Sequence, residues 1–268
     1  MSAMELLKLV RRRSFLSEVL YIGLNVVFAI AIAVVMLTTG SIAFAIALVL
    51  VSKWRVLAVR TRYWLANVQA NLVDFIASLS VVFMLYSVVI ADMSDTRKLI
   101  LTGVLTALYI AWLLVLKPRS TRRAMAAQAA VALFFGVSAL YTFSYSWPVS
   151  VVVIFMWLIG YAVARHVLSA YDEDRLTLLS LIWGLVIAEI GWVAYHWTVG
   201  YALPGLPGLY VPQAAIIILC AGFVALKIYD SFFHHQKIRA QDVLLPVLFS
   251  VSVIAVLLVF FGSLGTAI

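Results

Sequence analysis

LILTGVLTALYIAWLLVLKPRSTRRAMAAQAAVALFFGVSALYTF, residues 99–143, holds two uncharged apolar runs separated by Lys117, Arg119, Arg122 and Arg123. Each run, Leu99–Leu116 and Ala124–Phe143, approaches the roughly 20 residues that a helix needs to cross a bilayer core about 30 Å thick. A soluble helix of this length would carry charge along one face. These runs carry none on any face, so the stretch reads as two membrane spans joined by a basic turn.

The same criterion applied along the chain gives nine spans, at about 17–38, 41–60, 64–90, 98–116, 124–143, 148–168, 176–199, 212–228 and 243–264. The expected fold class is an all-α integral membrane bundle, a single polytopic domain over 1–268 with no soluble domain. The second span is the shortest. Its clean apolar run, Ser41–Ser52, ends at Lys53 and Arg55, and it is expected to tilt or to let those cations snorkel to the interface. Hydrophobic residues make up 66% and charged residues 11% of the chain, against about 45–50% and about 25% in soluble domains. A soluble core of this size cannot hide that excess.

The charges then set the orientation. With nine spans, all of the 19 Lys and Arg residues except Arg97 and Lys98 fall on one side, and those two share a neutral loop with Asp92 and Asp95. Short loops rich in Lys and Arg stay in the cytoplasm, so the N-terminus is expected inside and the C-terminus outside. The net charge of +8 therefore points to a bilayer with an anionic inner leaflet rather than to nucleic acid. Short loops suit a prokaryotic plasma membrane. Arg12-Arg13-Ser14-Phe15-Leu16 matches the core of a twin-arginine export signal, but with no cleavage site after it the pair reads better as an anchor for the first span. The single cysteine, Cys220, excludes an intramolecular disulfide and a thiolate metal cluster. No phosphate-binding loop, HExxH, GxSxG or CxxC sequence is present, and no cofactor is expected.

Chemistry must then come from polar residues at membrane depth. Glu189 lies in the seventh span, where an ionised side chain costs about 2.5–3.5 kcal/mol. Trp192 and His196 share its helical face, and His196 is a candidate relay partner. In the third span, Asn67, Asn71, Asp74 and Ser78 follow one face, and Glu18, Tyr21 and Asn25 make a shorter stripe in the first. The two stripes together suggest a polar vestibule open to the cytoplasm, with Asp74, Asn71, Asn67 and Asn25 as candidate ion- or proton-binding groups. Buried Asn also serves as plain interhelical glue.

Gly200–Pro212, GYALPGLPGLYVP, cannot be helical throughout. It is expected to rest at the outer interface or to re-enter the membrane, and Pro204, Gly205, Pro207 and Gly208 are candidate gate positions. Asp230, His234 and His235 follow the eighth span as a weak metal or catalytic set; only two of them share a face, which favours a solvated interfacial loop.

Three functions fit. The leading one is a small transporter or ion- or proton-conducting protein that uses intramembrane carboxylates. The second is a non-catalytic subunit or scaffold with membrane-protein partners or a homo-oligomer, supported by the small face of Gly184, Ala188 and Gly191. The third is an intramembrane enzyme acting on a lipid-linked substrate through Asp230, His234 and His235.

Overall fold

A computed structural model describes residues 3–197, 200–203 and 206–261. The chain forms an all-α membrane bundle, with eight helices among the described residues long and apolar enough to cross a bilayer and a shorter apolar one, Ile42–Ser52. In order these are α1 (Ala3–Thr39), α2 (Ile42–Ser52), the single turn α3 (Trp54–Leu57), α4 (Trp64–Ile90), α5 (Asp95–Ala111), α6 (Arg122–Phe143), α7 (Val149–Ser169), α8 (Leu176–His196), α9 (Gln213–His235) and α10 (Ala240–Phe260). A hairpin of β1 (Gly200–Leu203) and β2 (Leu206–Pro212) separates α8 from α9.

The second crossing departs most from expectation. At 11 residues, α2 is about 17 Å long, little more than half of a bilayer core. It stops at Lys53, whose N–H bonds back to Val49 and Leu50, and α3 continues the path for one turn before the chain reaches α4. Lys53 does not snorkel. It is 7% exposed and bonded to Asp74 of α4.

A second irregularity ends α5. Trp112–Leu116 forms a π turn, closed by the Lys117 N–H donating to the Trp112 carbonyl at 2.9 Å. The tight reversal between α1 and α2 uses Gly40 at φ +61°, a conformation that favours glycine.

The core has two parts. Ile32, Val49, Val82, Leu85 and Leu105 join α1, α2, α4 and α5, while Leu133, Val137, Met156, Ile187 and Ile218 join α6 to α9. The seam between them is α4 on α6, where Gly136 admits the Ile76 side chain: a Cβ added there would stand 2.8 Å from Ile76 Cγ2. The tightest pair is α7 with α8. Gly184, Ala188 and Gly191 are all buried, and both glycines pack against Trp157 and Met156 of α7. The small face expected to receive a partner chain is thus occupied within the chain itself.

One further expectation changes. Asp230, His234 and His235 are not in a loop, because α9 runs on to His235. The described residues of Gly200–Pro212 are not helical, in line with their prolines. They pair as an antiparallel hairpin with Gly200 opposite Pro212 and Tyr201 opposite Val211, and β2 packs on α4 and α6. Pro207 and Gly208 lie in β2, and the positions of Pro204 and Gly205 fall outside the described residues.

Candidate functional site

The polar stripe of α4 leads to the site. The Asn67 amide donates to the Val56 carbonyl of α3 at 2.7 Å, which holds the end of the broken crossing. The Asn71 amide turns back onto the Asn67 carbonyl of its own helix. One turn deeper, Asp74 receives three donors from two other crossings. Lys53 and Lys117 both approach Oδ2, Lys117 at 2.9 Å, and the Trp112 indole N–H points at Oδ1 from 3.4 Å. Beyond it, the Tyr109 hydroxyl donates to Ser78 at 2.9 Å, and Ser78 donates to the Asp74 carbonyl.

Both backbone irregularities serve this cluster. The break at Lys53 lets the chain turn where the ammonium meets Asp74. Residues five apart on a regular α-helix diverge by about 140°, so Trp112 and Lys117 would point apart. The π turn brings them back toward one carboxylate, and such turns concentrate at functional positions. The pocket is not uniformly closed: the Asp74 and Lys53 side chains are 12% and 7% exposed, but that of Lys117 is 35% exposed. Two cations and one anion leave it a surplus positive charge, with the open end at Lys117.

Asn25 stays apart from this cluster. Its amide donates to the Tyr21 carbonyl of its own helix, while the Tyr21 hydroxyl reaches the Leu113 carbonyl in the π turn. The polar stripe thus contains Asp74, but nothing in the sequence pattern marks Lys117 and Trp112 as its partners. Gln128 is a further residue that the pattern does not mark. It is buried, donates to the Leu116 and Arg119 carbonyls and bonds His166 at 2.7 Å, fixing the turn that carries Lys117.

Glu189 lies elsewhere, on α8. No hydrogen bond joins it to His196, which packs edge-on against Trp192 and Tyr195. Glu189 instead lines an apolar groove between α8, α9 and α10.

At the end of α9, Asp230 and His234 face each other at 3.4 Å, but His235 turns toward Asp242. Among the described residues no three His, Cys, Asp or Glu side chains converge as metal ligands. Asp230 accepts from the Tyr171 hydroxyl at 3.2 Å, and the Arg122 guanidinium lies over the rings of Tyr171 and Phe233. Burial, and then the Asp230 charge, push the Tyr171 phenol up. Glu173 accepts from the Tyr229 hydroxyl and the Arg175 N–H, which hold its carboxyl below the usual range. These contacts tie the loop between α7 and α8 to α6 and α9. Asp230, Asp242 and Glu173 are each committed to a structural bond.

Comparison of the chain with protein families, with curated proteins and with solved structures finds no match, so the geometry alone bears on function.

Proposed function

We propose that this multi-pass membrane protein is a small transporter of the prokaryotic plasma membrane, and that Asp74, Lys53 and Lys117 form its solute site. The observation that supports this reading is one carboxylate shared by lysines from two crossings, both of which break regular helix beside it. Irregular backbone at membrane depth is tolerated where it lines protein or a cavity, and interrupted helices recur at transporter binding sites.

The charge balance refines the solute class. Asp74 already accepts from both ammonium groups, so an incoming cation would have to displace a lysine. An anion meets the surplus charge at the half-exposed Lys117. Exchange of Lys117 between Asp74 and a small anion lets the solute arrive and leave without stranding a charge in a low-dielectric site. Glu189, in the other half of the bundle, has no part in this step.

The scaffold reading loses support because the Gly184–Gly191 face is filled by α7. In the enzyme reading, Asp230 is already engaged with Tyr171 and His234, and His235 with Asp242.

The test is flux. The purified chain is placed in sealed phosphatidylcholine–phosphatidylglycerol vesicles, and uptake of labelled chloride, phosphate and acetate is followed under an imposed potential. At least one anion is expected to enter faster than in protein-free vesicles. Lys117→Met and Asp74→Asn are each expected to slow it by about tenfold or more, the effect of losing roughly 1.4 kcal/mol of binding. If none of the three enters faster than in protein-free vesicles while the protein stays folded, the reading is wrong.

A further inference from the structure

The hairpin between α8 and α9 has a consequence for the opposite half of the molecule. Helices joined by short turns pack side by side, but Gly200–Pro212 carries the chain across to α4 and α6 before α9 begins. α9 then packs chiefly on α10 and α6, and only lightly on α8. A groove of about 850 Å3 is left between α8, α9 and α10.

Its walls are apolar, with Val193, Ile217, Leu258 and Val259 among them, and Glu189 is the one acidic residue among the described residues that line it. Glu189 stands seven residues, about 10 Å, from the end of α8. It is exposed, and among the described residues nothing bonds to it. A bare carboxylate facing acyl chains is costly, so the groove is built for something that supplies a positive charge together with an apolar body. Trp197, 76% exposed at the rim, offers an indole face of the kind that holds ammonium groups.

The alternatives fit less well. A hard metal ion needs six or more oxygen ligands, whereas the groove adds only Gln213, whose amide already donates to the Leu257 carbonyl. A zwitterionic lipid head would bring its phosphate against Glu189, and no residue lining the groove is basic. A volume of about 850 Å3 falls within the roughly 300–1,000 Å3 of small-molecule pockets.

We infer that the groove binds a lipophilic monocation, an ammonium on an apolar chain, which reaches Glu189 sideways from the half of the bilayer nearer the hairpin. This site is independent of the Asp74 reading, and either can fail alone.

Binding of tritiated decyltrimethylammonium to the intact chain in phosphatidylcholine nanodiscs tests it. Saturable binding is expected, weakened by about tenfold or more in Glu189→Gln and less in Trp197→Ala. It is expected to be unchanged in Asp92→Asn, an exposed carboxylate away from the groove, and not displaced by decanol. A matching melting temperature for Glu189→Gln separates lost binding from lost fold. Equal affinity in wild type and Glu189→Gln, displacement by decanol, or the absence of saturable binding would each overturn the inference. So would a second membrane chain that crosslinks at Val193 in place of the ligand.

Discussion

Asp74→Asn is expected to lower stability by about 3–5 kcal/mol, because it removes one partner of a buried ion pair and leaves the other charge behind. The charge left behind is Lys53, which is 7% exposed at the break between α2 and α3; Lys117 is better placed to turn toward water. Lys53→Met should cost much less, since it leaves Lys117 and Asp74 as a neutral pair at 2.9 Å. The double variant Asp74→Asn with Lys53→Met should therefore regain most of the loss, a coupling that additive effects cannot produce. Thermal melting of the four proteins in one mild detergent measures it. If Asp74→Asn melts with the wild type, or the double variant is worse than either single one, the cluster does not hold the two crossings together.

The next largest effect is expected at Gly160. A Cβ there would stand 2.7 Å from Ile187 Cβ and 3.1 Å from Gly184 Cα. Neither atom can swing away, so Gly160→Ala has to part α7 from α8 along the tightest contact in the bundle. Without a hydrophobic force between helices in lipid, such close backbone packing is a main source of association. A loss of about 1–3 kcal/mol is expected. Gly222→Ala on α9 is the control. Its Cβ would meet nothing nearer than Leu133 Cδ2 at 3.7 Å, an ordinary van der Waals contact. Gly160→Ala should melt well below Gly222→Ala; the reverse order would mean that α7 and α8 are not packed through Gly160.

Much of the architecture is legible in the sequence because burial in lipid leaves a one-dimensional trace. Eight of the nine expected spans correspond to long helices, and the third matches at both ends, Trp64–Ile90. The second, at 41–60, is present only in two pieces, and its reading fails at one residue. Lys53 reads as a cation near the membrane surface, although it follows only 11 helical residues, too few to reach the far interface. Asp74 lies ten residues into the next helix, at a similar depth. Two opposite charges at matching depth are a signal that the loops on either side obscure. Lys117 and Trp112 leave no such signal, since their convergence depends on a π turn that no residue type in WLLVL specifies. The hairpin is legible only as an exclusion: three prolines forbid a helix but do not pair Gly200 with Pro212. Glu189 stands out at once, because a charge within an apolar run is visible from sequence, while the groove around it depends on how far α8 and α9 splay.

Everything proposed for Asp74 depends on Ile42–Leu57 completing one passage of the membrane in two pieces, with the lysine at the joint. Single cysteines at Ser41, Arg60 and Arg119, introduced with Cys220→Ser and treated with a membrane-impermeant maleimide on sealed membranes of known orientation, measure this directly. Ser41→Cys should react from the outer compartment alone, and Arg60→Cys and Arg119→Cys from the cytoplasmic one alone. Labelling of Ser41→Cys and Arg60→Cys from one shared side would mean that the segment turns back, and it would invert every later loop.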